Sequence, residues 1–472
     1  MRVSSRSKPL LLLLVFLLAV PLLLLLGLNL LLQTTPIKER LRSTLSITLG
    51  MPISFSSLSA TLCGDIKVVG ISGGAVGNSV SFKGDSIFIS PSYLRLLHGE
   101  ILINDLRIIH PVLHSSLTQV AMPPGPSSLP VLETPQTSVT LSSSLQQPSL
   151  QPSQTTSTSA VALPTQAQII LRQIPRIAVT DAEVTLLNTQ NLPIATIEGM
   201  SLLGSLTSTG TWQGTLKAHQ VIVGNSLILH DLDSPITLSS GISKLSLEGL
   251  TATLGGGKLA GEFTLALPPS ALQYQTHLTL TGAKLNQFFL DASLGNLASE
   301  GAITGDLQLS GVAGSAETME GTGNLLCTDA VIQPADFLRQ IGEILQIQEL
   351  QMLHLAEGKA SFNIHQGETQ ITQLYLRSQN LILTAQGPMK PNGDLDLQAR
   401  LLFNEKLTGR LHGLIGSQLS PAPEAGYSQV SFRVYGPAKS PKTDLLERLT
   451  GIHIGGDLGG LLQGLFGRPA NH

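Results

Sequence analysis

The stretch of the chain best suited to covalent chemistry is Gly70-Ile71-Ser72-Gly73-Gly74, which fits the G-x-S-x-G spacing of a hydrolase nucleophile elbow. That chemistry needs a strand before the serine and a helix directly after it, because the strained turn between them exposes the hydroxyl. Asp65 to Val69 can supply the strand. Downstream, Gly77 and Gly84 act as breakers and the pairs Val80/Phe82 and Ile87/Ile89 alternate, which predicts strand, turn and strand with no helix. The expected structure at Ser72 is therefore a glycine-rich hairpin turn, with the serine a turn residue and not a nucleophile.

Nothing else in the sequence carries a reaction. The two cysteines, Cys63 and Cys327, stand far apart with no C-x-x-C spacing, so they read as two buried free thiols or, alternatively, one long-range disulfide. The 11 histidines are scattered and none falls in an H-E-x-x-H pattern. No catalytic residue, no metal site and no cofactor is expected, and the chain is read as a non-enzyme. A net charge of -3, spread evenly, gives no field for nucleic acid, and nucleic-acid binding is excluded.

The elements around these residues follow from composition. Charged residues make up only 12% of the 472 positions and aromatics 4%, while the chain holds 46 glycines. Gly, Ser, Thr, Gln and Asn take the place of charge, which favours many strands and turns over salt-bridged helices. The expected fold class is mainly β: an N-terminal transmembrane helix, then an elongated, curled antiparallel sheet forming a β-groove, with a few short amphipathic helices.

Residues 10–32 are apolar almost throughout and long enough to cross a bilayer. No small-residue cleavage site follows, so this span is expected to be an uncleaved single-pass anchor. Residues 1–9 form a cytoplasmic head. Arg2, Arg6 and Lys8 before the span balance Lys38, Arg40 and Arg42 after it, so charge alone does not orient it. The absence of N-x-[ST] acceptors despite abundant Ser and Thr points to a bacterial inner membrane, with the bulk of the chain in the periplasm. Residues 36–120 open with a surface helix carrying Ile37, Leu41 and Leu45 and continue as β segments. Residues 121–168 are dense in Pro, Ser, Thr and Gln with one charge, Glu133, and read as a disordered linker.

Period-two alternation then dominates 169–443. Phe362 and Ile364, Leu374 and Leu376, Leu381 and Leu383, and Leu395, Leu397 and Leu401 fall on one apolar face, joined by turns at 365–367, 378–380 and 391–393. These nine side chains are the predicted lining of the groove. One helix interrupts the strands at "QPADFLRQIGEILQIQELQML", where Phe337, Ile341, Ile344 and Leu345 form a stripe meant to lie on the sheet. Residues 444–472 are expected to form short amphipathic helices, the last presenting Leu458, Leu461, Leu462, Leu465 and Phe466 on one face.

A sheet with one continuous apolar face must bury it against a second layer or a ligand, and periodicity alone cannot separate a closed sandwich from an open groove. The segments "GTGNLLCTDAVIQPADFLRQIGEIL", "GKASFNIHQGETQITQLYLRSQNLILTAQGPMKPNGDLDLQARLLF" and "SFRVYGPAKSPKTDLLERL" resemble the C-terminal region of AsmA-like proteins, and residues 10–113 are similar to that family's anchor, helix and first strands. The resemblance implies a periplasmic β-groove that binds phospholipid acyl chains, serves phospholipid transport or outer-membrane assembly with envelope proteins as partners, and has no catalytic residues to carry over. The alternative is a structural or assembly protein similar to the N component of type II secretion systems, with its apolar face filled by protein.

Overall fold

The computed structural model describes residues 51–61, 65–74, 80–92, 103–116, 174–188 and 190–450, the last range with short breaks at 225, 240–242, 268–271, 296–298, 335, 345, 416–417 and 439, together with residues 34–35, 38–39, 42–43 and 46. The head at 1–9, the anchor at 10–32, the linker at 121–168 and the tail face of Leu458, Leu461, Leu462, Leu465 and Phe466 lie outside the described residues, as do Ile37, Leu41, Leu45, Cys63 and Leu345. Among the described residues, no helix is long and apolar enough to cross a membrane.

The protein is mainly β, with one long sheet of 21 strands and few short helices. The strands are β1 (Ile53–Ser54), β2 (Ser57–Ala60), β3 (Ile66–Gly73), β4 (Val80–Pro91), β5 (Ile103–Ser116), β6 (Arg176–Leu187), β7 (Pro193–Leu206), β8 (Trp212–Val223), β9 (Leu227–Leu238), β10 (Lys244–Leu254) and β11 (Gly257–Ala266). They continue as β12 (Gln273–Lys284), β13 (Ser299–Val312), β14 (Ser315–Ile332), β15 (Leu353–His365), β16 (Glu368–Ser378), β17 (Leu381–Met389), β18 (Asp394–Asn404), β19 (Ser420–Pro421), β20 (Tyr427–Pro437) and β21 (Lys442–Thr443). From β3 to β18 each strand pairs with the next, and β20 closes the row against β18. Short strands lie on both outer strands: β1 and β2 on β3, and β19 and β21 on β20.

The expected meander holds with one correction. β5 and β6 run parallel, in register from Asp105↔Arg176 to Ser116↔Leu187. A tight turn joins only antiparallel neighbours, and a parallel pair needs a crossover back to the starting end. Residues 117–175 are that crossover, so the low-charge insertion sits where the topology demands a long connection.

The strands stay on one face because bulges reset their phase. In "KLSLEGLTATL", Leu245 and Leu247 are out of step with Leu250, Ala252 and Leu254. Gly249, at φ +76°, is the extra residue that restores the alternation. Asp181 in β6 and Gly282 in β12 have positive φ beside similar register slips. Such bulges bend long strands and raise their twist.

Between and after the strands, the described residues form the helices α1 (Leu285–Asp291), α2 (Asp336–Ile344), α3 (Glu405–Ile415) and α4 (Leu445–Thr450), three of them unforeseen or only loosely placed by the sequence. Only α2 was expected as an interruption of the meander. α1, α2 and α3 leave the ends of β12, β14 and β18, which run the same way, so they gather at one end of the sheet. The start of α3 is legible in retrospect, since Asn404 Oδ1 accepts the Leu407 N–H at 3.0 Å as an N-cap.

Candidate functional site

The strand register assembles the apolar face rung by rung. One rung crosses the N-terminal strands as Val68, Ile87, Ile108, Val179, Leu202 and Leu216, each paired with the next. Another crosses the C-terminal strands as Ile303, Cys327, Gly358, Leu376, Leu383, Leu401 and Val430. Residues opposite one another in a ladder point to the same side, so each rung is a continuous apolar line across the strands.

All nine predicted lining residues share that face. Leu374 stands opposite Ala360 and Ala385, Leu381 opposite Phe403, Leu395 opposite Met389, and Leu397 opposite Val434. Phe362 stands opposite Gly323 and Ile364 opposite Gly321. A Cβ at position 323 would fall 2.3 Å from the Phe362 ring, so the glycine is what lets that ring lie across the neighbouring strand.

The nine residues do not share one environment. Leu381 and Leu401 have no exposed surface, and Leu397 is buried. They belong to a core with Leu338 and Ile341 of α2, Leu407 of α3, and Leu445 and Leu449 of α4. These three side chains are enclosed within that core. Ile364 is also buried, whereas Phe362, Leu374, Leu376, Leu383 and Leu395 are half-buried. On α2 the buried stripe is Leu338, Ile341 and Gly342, while Phe337 and Ile344 are half-buried beside the core. Sequence spacing missed Leu338.

The N-terminal strands hold a second, separate core of Ile53, Phe55, Leu58, Val68 and Ile71, with Ile87 packed at its border. Between the two cores lies a stretch that belongs to neither. Leu106, Ile108, Leu113, Val179, Val184 and Leu202, on β5, β6 and β7, are all half-buried and belong to neither core. These positions were not among the predicted lining residues, although β5 alternates legibly. The phase slips at the bulges hid the rest.

The residues considered for chemistry sit elsewhere. Ser72 lies inside β3, paired with Ser54 of β1, and the two hydroxyls are 2.7 Å apart. The expected turn position is thereby corrected, because the strand runs on to Gly73 and the positive φ falls at Gly70 and Gly74. A strand that carries the serine past the glycine cannot form the elbow. Cys327 is a buried free thiol, held above the usual thiol range by burial.

On the opposite, polar face a concavity of about 720 Å³ is lined by Glu248, Glu262, His277, Gln308 and Glu320 among others. Its charged lining is wrong for an acyl chain. Among the described residues, no group of three His, Cys, Asp or Glu side chains could hold a metal ion. Compared with models of protein families, with curated proteins and with solved structures, the chain finds no match.

Proposed function

We propose that the protein is an inner-membrane-anchored periplasmic protein whose sheet curls into an AsmA-like groove that takes up phospholipid acyl chains, in phospholipid transport or outer-membrane assembly. The observation that carries this reading is the apolar face of β5–β7, which is continuous with two cores and covered by neither. An acyl chain laid on these strands gains about 0.8 kcal/mol for each methylene removed from water, with no directional bonds to satisfy. Uptake of this kind uses no nucleophile and no metal, and the headgroup stays outside. The anchor at 10–32 would hold the groove beside the lipid source.

A second reading has its own support. Residues of α2, α3 and α4 share one core with the C-terminal part of the same face, which supports an assembly protein whose apolar face is packed with protein.

The test is to extract the full chain from membranes in mild detergent and identify bound phospholipid by native mass spectrometry. Stoichiometric phospholipid, lost in Ile108→Asp and Leu202→Asp variants that keep their β signal in circular dichroism, is the expected result. A lipid-free wild-type chain would favour the assembly reading.

A further inference from the structure

The breaks in the strand ladders fall in line from one strand to the next. Val69 pairs with Ser86 and Ile71 with Gly84, so Gly70 and Asp85 face each other across a skipped rung. Asp85 and His110 share the next skipped rung, and His110 and Asp181 the one after it. Between β7 and β8 the ladder jumps from Glu198↔Gln220 to Ser201↔Lys217, which leaves Gly199 beside His219, and His219 stands in turn beside Asp231 of β9. Gly70, His110, Asp181, Gly199 and Asp231 all have positive φ. One line of breaks therefore crosses the strands from β3 to β9.

The two sides of the sheet differ along this line. On the polar side Asp85, His110, Asp181, His219 and Asp231 are exposed. On the apolar side the residues next to the line are small and buried: Gly84, Pro111, Ala182 and Ala218. Ala182 is only 1% exposed although it belongs to neither core, while the larger Val179 and Val184 beside it on β6 are half-buried. A small side chain sunk deeper than its larger neighbours marks the inside of a bend, where side chains converge. A Cβ at position 84 would fall 3.2 Å from Ile71 and 3.3 Å from the Phe82 ring, so a side chain there would crowd both. An apolar rung runs along each flank of the bend, Ile87, Ile108, Val179 and Leu202 on one and Phe82, Leu113, Val184 and Ile197 on the other.

We propose that this line is a hinge, about which the two halves of β3–β9 close and open the apolar trough between those rungs. A bulge leaves its residue unpaired and the ladder locally disrupted, so bending resistance is lowest where the breaks align. The β11–β12 ladder, by contrast, runs unbroken from Lys258↔Thr281 to Ala266↔Gln273. The side-chain contacts on the line do not fix its angle. His110 Nδ1 lies 3.1 Å from Asp85 and His219 Nδ1 3.7 Å from Asp231, and both contacts run from strand to strand along the axis of bending. His110, Asp181 and Asp231 hold a left-handed backbone that side chains rarely adopt, a strain that gathers at clamps and switch regions. The hinge sets the width of the trough whatever occupies it, so this inference does not rest on the lipid reading.

The test measures distances by double electron–electron resonance in the full chain in mild detergent. p-Acetylphenylalanine carrying a nitroxide is placed at Thr215 and Val223, on either side of the break at His219, and in a control protein at Lys258 and Ala266 of unbroken β11; Gln213 replaces Thr215 if that label perturbs folding. Freezing traps the populations of a collective motion, so the Thr215–Val223 distribution should be about twice as wide as the control. Ala182→Leu, or Ala182→Val if the larger residue costs the β signal in circular dichroism, wedges the inside of the bend and should narrow the distribution toward one population. Equal widths in the two labelled pairs overturn the hinge, as does a Thr215–Val223 distribution that the Ala182 variants leave unchanged. A wide distribution in a chain that carries no phospholipid fails the lipid reading and leaves the hinge standing.

Discussion

The strands β16–β18 and the strands β5–β7 carry the same alternation of apolar and polar residues, yet they live in different surroundings. In the first region Leu381, Leu401 and Phe403 are fully buried, in one core with residues of α2, α3 and α4. In the second, Ile108, Val179 and Leu202 are half-buried and outside both cores. Both regions carry continuous ladders, parallel at β5–β6 and antiparallel through β16–β18, and the difference in burial goes with where helices leave the sheet. Connections at β12, β14 and β18 are long enough to fold back as helices. The connection at β5 carries no described helix.

The largest effect that can break this comparison is topological. Deleting 119–172 leaves residues 117–118 and 173–175, which reach at most about 18 Å and cannot return across the parallel pair. Loss of β5–β6 pairing, read as loss of protection in hydrogen exchange of both strands, is expected. Deleting Pro123–Pro164 instead leaves a chain able to reach about 56 Å, and the pairing should persist. Equal protection in both deletion variants would show that the strands are not parallel.

Next comes the contrast in burial. Leu401→Ala removes a side chain packed on all sides and should cost about 2–5 kcal/mol in chemical denaturation, through lost contacts and a residual cavity. Leu202→Ala, in the half-buried stretch, should cost about 1 kcal/mol or less. A cost at Leu202 equal to that at Leu401 would mean that the N-terminal stretch is as tightly sealed as the C-terminal one.

Smaller effects sharpen the picture of how the cap is held. Asn404→Ala removes the N-cap of α3 and should cost about 1 kcal/mol, with Asn404→Asp keeping most of it. Ser72→Ala should change stability by less than about 0.5 kcal/mol, since its hydrogen bond to Ser54 is at the surface and water can replace it.

The smallest effect is a pH dependence. The Glu320 carboxylate accepts the Gln366 N–H at 3.0 Å and lies 2.9 Å from His365 Nδ1, and these contacts hold its pKa below the ordinary glutamate range. The unfolded chain then binds the proton first as pH falls, so the contribution is present above the unfolded pKa and is lost as pH drops through the folded one. Glu320→Gln should flatten the acid side of a thermal-melting profile slightly and leave it unchanged near neutrality.

Period two in the leucines, glycine at the turns and scarce charge determined a mainly β chain with one apolar face, because side-chain alternation is a local property of an extended backbone. The same local signals placed the turns at 365–367 and 391–393, and the nine leading residues on a common side. They could not divide those nine into sealed and half-open positions. That division depends on which strand ends send out helices, residues of which join the same core as Leu381 and Leu401. Nor could they show that β5 and β6 run parallel, since a strand of either direction has the same alternation. Only the pairing of Asp105 with Arg176 across a long gap in sequence decides the direction.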